Sequence, residues 1–172
     1  RYGAALVGFD VVFAEPDESS GLRSLESLAS GELRDNLAYQ QALRELRPRL
    51  DNDAQFAEAL RGRSVVLGFA MSHATDAGSG VLPAPTLPAA SFAGRETAFT
   101  HWTSFAGNLA QFQRNAAAAG HMVPLFDADH VLRRVPLLVE YGGDYYEALS
   151  LAMVRTWLRF PAVVPGYPDD GV

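Results

Sequence analysis

Two long apolar runs stand out along the chain. Residues 4–14 (AALVGFDVVFA) are apolar apart from Gly8 and Asp10, and residues 64–71 (SVVLGFAM) form the second run. Strands that are covered on both faces, as in parallel sheets, show continuous apolar runs of this kind. We therefore predict that both runs form buried strands.

Helical spacing of apolar residues appears between these two runs. Leucines recur at helical spacing over residues 33–50, and Pro48 should force a break in that helix. Asn52 or Asp53 can cap a second, shorter helix. The inward face of that helix should be formed by its apolar residues Phe56, Ala57 and Leu60.

Residues 72–104 differ from both of their neighbours because they contain several prolines and glycines and few regular apolar spacings. A loop of this length inside a domain is usually functional or mobile. We therefore predict a long proline-rich loop. Its histidines, His73 and His101, are candidates for a pH-sensitive or pocket-lining role beside Trp102, and solvated histidines without a role are the alternative.

Regular patterns return after this loop. Residues 105–119 have helical periodicity, and Gly120 would end that helix as its C-cap. Residues 121–126 and 131–141 are predicted to be strands, joined by a polar turn at residues 127–130.

The last pattern is a helix predicted over residues 145–159, capped by Asp144 and apolar on most sides. Such a helix is either deeply buried or pairs with a partner. The repeated strand–helix–strand order predicts an α/β fold, a mixed sheet flanked by helices, in a single domain over residues 1–160.

Composition narrows the class of function. The formal net charge is -6, so there is no basic surface for nucleic acid, and the chain has no cysteine for disulfides or thiolate zinc sites. No apolar run approaches the roughly 18 residues that span a bilayer. No phosphate loop, dinucleotide fingerprint or nucleophile elbow is found. We predict no catalytic residue, no metal and no cofactor.

One group of carboxylates surrounds the end of the first predicted strand, namely Asp10, Glu15 and Asp17. Ligands of open α/β sheets lie beyond the carboxyl ends of the strands, so these side chains are candidates for holding a cation or a polar ligand. The alternative is a turn in which Glu15 and Asp17 cap backbone amides and Asp10 pairs with an arginine.

A second group lies at the polar turn, where Asp127 and Asp129 are followed by His130 and by two arginines. Carboxylates beside a histidine can bind a metal, but aspartates in a turn also bond their own backbone. Arg133 and Arg134 would lie on opposite faces of a strand, so we expect only one of them to pair with these carboxylates.

Three blocks together resemble a known family. They are residues 8–20 (GFDVVFAEPDESS), residues 50–71 (LDNDAQFAEALRGRSVVLGFAM) and residues 120–155, which contain DADHVLRRVPLLVEY and SLA. In this order and spacing they resemble the CHASE domain of the second type. The name describes sensory extracellular domains associated with cyclases and histidine kinases. In that family glycine is commonest at the position of His130. Because histidine has a Cβ atom and glycine does not, a left-handed backbone is less favoured at this position in the present chain.

The resemblance implies a periplasmic or extracellular sensor of a bacterial membrane receptor. In that family, transmembrane helices and a cytoplasmic output follow the sensor. The output is a class III adenylate or guanylate cyclase, a histidine kinase or a serine/threonine kinase, and the L-x-x-D-x-x-F-A spacing favours a cyclase. Residues 161–172 would then lead towards a membrane segment. The family usually has a further strand and helix before the first block, and the resemblance carries over no catalytic residue.

The leading hypothesis is therefore a sensor for an unknown small-molecule or protein signal, expected to act as a homodimer. Its last helix, with Trp157 and Phe160, would form a dimer face or lead into the membrane. Its predicted ligand-binding residues come from both polar groups: Asp10, Glu15, Asp17, Asp127, Asp129 and Arg133. Two alternatives stay open. One is a metal-dependent hydrolase that uses the first carboxylates with Asp127 or Asp129, and the other is a dimerisation spacer without any ligand.

Overall fold

The computed structural model describes residues 3–75, 78–95 and 97–166, which form one mixed α/β unit. The helices in this part are α1 (Leu22–Ser30), α2 (Leu37–Leu50), α3 (Asn52–Leu60), α4 (Ala110–Asn115) and α5 (Leu149–Trp157). The strands are β1 (Val7–Phe9), β2 (Val65–Ser72), β3 (His101–Trp102), β4 (Ser104–Ala106), β5 (Ala118–His121), β6 (Leu125–Phe126), β7 (Leu132–Arg134), β8 (Leu138–Tyr141) and β9 (Asp144–Glu147). The predicted α/β class is confirmed.

The central strand is β2, which pairs in parallel with β1 and β5 and antiparallel with β4. Its first five residues are all buried, as the apolar run SVVLGFAM predicts. The first run behaves differently, because only Val7–Phe9 is a strand and Val7 is 37% exposed. The prediction of a long strand buried on both faces is therefore wrong for residues 4–14.

The chain after β1 leaves the sheet because another segment takes its hydrogen bonds. The amide of Phe13 donates to Oδ1 of Asn108 at 2.9 Å, and the amide of Leu109 donates to the Phe13 carbonyl at 2.7 Å. The fully buried Asn108 also donates from Nδ2 to the Gly68 carbonyl of β2 at 2.9 Å. The buried side chain of Asn108 thus connects residues 10–14 to the central strand β2 through hydrogen bonds.

Apolar side chains from the sheet and two helices form the core. Ala57 and Leu60 of α3 are buried and Phe56 packs against them, so the predicted inward face is confirmed. Four phenylalanine rings form five contacting pairs whose centroids are between 5.0 and 6.0 Å apart: Phe9, Phe13, Phe56 and Phe112. Such aromatic pairs contribute about 0.5–1.5 kcal/mol each beyond their burial.

The boundary between α2 and α3 differs slightly from the prediction. Helix α2 passes through Pro48 and ends at Leu50, because a proline near the end of a helix removes only one of its last hydrogen bonds. The cap of α3 is Asp51, whose carboxylate accepts from the Ala54 amide at 2.9 Å, and not Asn52 or Asp53.

The helix predicted over residues 105–119 is wrong at both ends. Phe105 lies in β4, α4 covers only Ala110–Asn115, and Ala118–His121 is β5. Alanine favours helices, but here the free edge of β2 takes the chain as a parallel strand. Gly120 is therefore no helix cap. It lies where a Cβ atom would be 2.5 Å from Cα of Leu149, so a small residue is needed beneath α5.

The predicted strands and cap near the C-terminus are also corrected. Residues 121–126 and 131–141 are divided into β5, β6, β7 and β8, and Pro124 and Pro136 lie at the interruptions. Asp144 does not cap a helix, because it begins β9, which pairs with β8 in a second sheet with β3. Its Oδ1 accepts from the Ala89 amide at 3.0 Å, and α5 begins later at Leu149.

The proline-rich segment is attached to the rest of the fold at several points. Isolated bridges join Ser79 to Ala106, Val81 to Asn108 and Leu87 to Tyr145. A short 3-10 helix (Ala89–Phe92) and β3 lie within the same segment. The proposed domain limits stay a prediction, and residues 167–172 of the expected tail lie outside the described residues. Among the helices described, none is long and apolar enough to cross a membrane.

Candidate functional site

The carboxylate of Asp17 is used by a local turn. It accepts from the amide and Oγ of Ser19 at 3.0 and 2.6 Å, from the amide of Ser20 at 3.2 Å and from Nδ2 of Asn52 at 3.1 Å. The hydrogen bonds from Ser19 lower the pKa of Asp17 to about 2. Asp17 thus caps backbone amides, as the alternative interpretation expects. It also borders a cavity of about 170 Å³ between α1 and the start of α3.

Glu15 and Asp10 lie apart from this turn. Both are exposed, and the side chain of Glu15 has no hydrogen bond or ion pair within the described part of the chain. Asp10 borders a cavity of about 340 Å³, which we call the apolar groove, between Met122, Leu132 and Met153. The three carboxylates that are close in sequence therefore do not converge on one pocket.

The turn between β6 and β7 forms a compact ion cluster. Arg133 donates to Oδ2 of Asp127 at 3.0 Å and to both carboxylate oxygens of Asp129 at 2.9 and 2.8 Å. Arg134 also pairs with Asp127, with its Nε at 3.1 Å from Oδ1. These arginine contacts lower the pKa values of both aspartates. The expectation that only one arginine would pair is wrong, because an irregularity in the β6–β7 register breaks the strict alternation of side chains.

The same turn has a residue other than glycine in the left-handed region. His130 has φ of 61°, and its amide donates to the Asp127 carbonyl at 2.8 Å. Histidine is among the residues that tolerate this region better than most, so the turn keeps its shape without glycine. In residues 3–75, 78–95 and 97–166, no three histidine, aspartate or glutamate side chains are grouped to hold a metal.

A buried histidine lies beneath the apolar groove. His121 has no exposed surface, and its Nδ1 accepts from the Val123 amide at 3.3 Å. Its Nε2 is buried without a hydrogen-bond partner among the described residues. Burial lowers the pKa of His121 to about 4, so the ring is neutral at neutral pH. The loop histidine His73 instead stacks on Trp102, with ring centroids 4.3 Å apart.

A further pocket was not predicted from the sequence, and we call it the alanine-lined pocket. It encloses about 320 Å³ between residues 83–86, the four alanines at residues 116–119 and the ion pair of Glu147 with Arg155. Nη1 of Arg155 donates to Oε1 of Glu147 at 2.6 Å, and their side chains are 17% and 8% exposed. Arg155 is the one charge in α5 (LSLAMVRTW), and this lone charge in an apolar helix was the available signal.

Fold and cavities together define a small α/β domain with polar and apolar pockets around its last helix. The CHASE2 domain family matches residues 1–166, nearly the whole chain, so this chain belongs to the CHASE2 family. This match confirms the family resemblance. Because CHASE2 domains are sensory and not catalytic, it also confirms the sensory class. No curated protein and no solved structure matches the chain.

Proposed function

We propose that this chain senses a signal on the periplasmic face of a bacterial membrane and regulates a cytoplasmic output. The output we assign is a class III adenylate or guanylate cyclase, based on the L-x-x-D-x-x-F-A spacing at residues 50–57. Membership of a sensory family supports the sensing role.

The observation that carries this proposal is the position of α5. Its residues border three cavities: Leu149 and Met153 line the apolar groove, Arg155 lines the alanine-lined pocket, and Trp157 lines a third cavity. A ligand in any of these cavities would contact the helix directly. A ligand shifts a conformational equilibrium only through contacts that differ between two states. Because α5 borders all three cavities, it can make such contacts with a ligand in each of them.

Helix α5 also has a partly uncovered apolar face, which we call the α5 patch. The patch consists of Val154 and Trp157 of α5 and of Leu158, which follows the helix; they are 53%, 64% and 59% exposed. Contiguous exposed apolar surface of this kind marks interaction sites in soluble domains. We propose that a second copy of the chain covers the α5 patch, because cyclase and kinase outputs work as pairs.

The α5 patch also favours one of the alternatives, a dimerisation spacer that binds no ligand. A spacer and a sensor both predict a dimer, so the dimer itself does not distinguish them. The sensor predicts that small displacements of α5 change the output, and the spacer predicts that they do not. Within the part of the chain that the structure describes, no group of carboxylates and histidines is arranged to hold the metal that the hydrolase alternative needs.

The experiment compares two glycine substitutions in the parent receptor, with cyclic nucleotide formation by isolated membranes as the assay. In Gly120→Ala the new Cβ would lie 2.5 Å from Leu149 Cα, so α5 must move. In the matched control Gly3→Ala the new Cβ has open space around it. We expect Gly120→Ala to change the basal rate at equal expression and Gly3→Ala to leave it unchanged. Equal rates for both variants would favour the spacer, and membranes without any cyclase activity would refute the cyclase assignment.

A further inference from the structure

The chain that follows α5 passes through two neighbouring residues with a left-handed backbone. Arg159 has φ of 61° and Phe160 has φ of 59°. A left-handed residue after a helix is usually glycine, because a Cβ atom disfavours this conformation. Phe160 also precedes Pro161, and a residue before proline favours an extended backbone. Residues 159 and 160, which we call the exit turn, are therefore strained.

Backbone hydrogen bonds close the exit turn. The Arg159 amide donates to the Thr156 carbonyl at 3.2 Å, and the Phe160 amide donates to the Arg155 carbonyl at 2.6 Å. In a continued helix the Arg159 amide would instead donate to that same Arg155 carbonyl, four residues earlier. Leucine and arginine, at residues 158 and 159, both favour helices. One carbonyl can thus accept from either of two paths of the chain.

The side chain of Arg155 connects the exit turn to the rest of the domain. Its Nε donates to the Pro161 carbonyl at 3.0 Å, and its Nη1 donates to Oε1 of Glu147 at 2.6 Å. Because Glu147 belongs to β9, one side chain joins the segment after the turn to the second sheet. The Arg155 side chain is 17% exposed, so water competes little for its donors. Phe160 also borders the alanine-lined pocket.

From these contacts we infer that the exit turn is a two-state hinge and that Arg155 is its latch. The latched state is the conformation described above. In the released state the hydrogen bond from Arg155 to Pro161 is broken, α5 continues through Arg159, and Phe160 takes the extended backbone that a residue before proline favours. Release relieves the strain of the turn, and the latch opposes release, so a signal that acts on α5 can shift the balance.

The two states differ in the direction in which the chain leaves α5. A change of direction at the exit turn alters how the segment after α5 is presented to the rest of the receptor. This inference deepens the proposed regulation of the output by α5 and rests on it.

The test measures the distance between one label after the exit turn and one label on α3. The chain has no cysteine, so nitroxides attached at Ala162→Cys and Ala54→Cys, both at exposed positions, are the only labels in the purified chain. Pulsed electron spin resonance gives the distribution of their separation. Residue 162 is two positions beyond Phe160, and an extended chain spans about 3.3–3.6 Å per residue, so release should move the first label by roughly 5–10 Å.

Two variants of the labelled chain release the hinge by different routes. Arg155→Lys keeps a positive charge for Glu147 but loses the planar fork that reaches both partners. Arg159→Val leaves the latch unchanged and places a β-branched residue where φ is positive, which is strongly disfavoured. We expect each variant to shift the main distance by roughly 5–10 Å at unchanged circular dichroism.

Two controls separate release of the hinge from a general effect of substitution. Arg159→Gly changes the same exposed position but favours the left-handed backbone, so it should keep the wild-type distance. Arg34→Lys makes the change from arginine to lysine in an exposed ion pair away from the hinge, and it should also keep that distance.

The inference is overturned if either Arg155→Lys or Arg159→Val folds and keeps the wild-type distance, or if Arg159→Gly moves the label as Arg159→Val does. Circular dichroism identifies a variant that does not fold, and the other variant then decides. The purified chain reports the hinge without the output, so failure of the proposed sensing function is seen only in the receptor assay. A receptor that responds to Gly120→Ala while the hinge stays fixed would remove this inference alone.

Discussion

The buried ion pair between Glu147 and Arg155 gives the sharpest prediction for stability. The substitution Arg155→Met keeps a long side chain and removes the positive charge. Glu147, whose side chain is 8% exposed, would then remain as an uncompensated buried carboxylate. Removing one partner of a buried pair costs about 3–5 kcal/mol, against a total of about 5–15 kcal/mol for a typical domain.

The expected loss can be read in two assays. Urea unfolding followed by far-UV circular dichroism should show a free energy of unfolding about 3–5 kcal/mol below the wild-type value. The melting temperature should fall by roughly 6–20 °C, because each kcal/mol shifts it by about 2–4 °C in a domain of this size. The double variant Glu147→Leu with Arg155→Met should recover most of the loss, since no charge then remains buried.

The matched control is the exposed pair of Arg34 with Asp35, whose side chains are 72% and 89% exposed. Exposed pairs contribute less than about 1 kcal/mol, so Arg34→Met should change the free energy of unfolding by no more than that. If Arg155→Met lowered the free energy of unfolding no more than Arg34→Met, the pair of Glu147 with Arg155 would be exposed to solvent. That result would contradict the burial of the Glu147 carboxylate.

Three further predictions concern other parts of the molecule. In the wild type, His121 should lower the free energy of unfolding by about 3 kcal/mol as the pH falls from 6.5 to 4, because the unfolded state protonates it near pH 6.5 and the folded state only near pH 4. Urea titrations over this range should show a smaller pH dependence in His121→Gln. Gly120→Ala should lower the free energy of unfolding by about 1–3 kcal/mol through overpacking against α5, and an unchanged urea midpoint would contradict the close approach. If the proposed dimer forms through the α5 patch, Trp157→Glu should be a monomer in light scattering, whereas Leu37→Glu, at a residue that is 83% exposed outside the α5 patch, should be a dimer like the wild type.

Sequence patterns predicted elements best where one physical requirement dominates. The uninterrupted run SVVLGFAM predicts a buried strand, and β2 is that strand, whereas the run at residues 4–14, which Asp10 interrupts, forms only the short strand β1. The spacing of Phe56, Ala57 and Leu60 fits one buried helix face, and α3 buries it. In both segments, local preference and tertiary packing favour the same structure.

Prediction failed where tertiary contacts opposed local preference. Residues 116–119 are four alanines, which favour a helix, yet residues 118–121 pair with β2 and leave room for α5. Asp144 before an apolar segment resembles a helix cap, but pairing of β9 with β8 uses that segment as a strand. No local pattern shows which sheet edge is free, so these errors could not be avoided.

The alanine-lined pocket was missed for a related reason. Its charged and amide side chains come from Gln113, Glu147 and Arg155, which lie on three different elements. The sequence pattern instead predicted a binding site at carboxylates that are close in sequence, such as Asp10, Glu15 and Asp17. Proximity in sequence indicated local turn chemistry for Asp17 and the Asp127 cluster, and a pocket formed by distant segments leaves no such local pattern.

The most direct test of the sensing role uses the parent receptor in membranes, intact and with residues 1–166 deleted. The measurement is the rate of cyclic nucleotide formation at equal amounts of receptor. We expect the deletion to change this rate, because the domain controls the output of the intact receptor. Equal rates for the intact and deleted receptors would contradict a role for this domain in controlling the output.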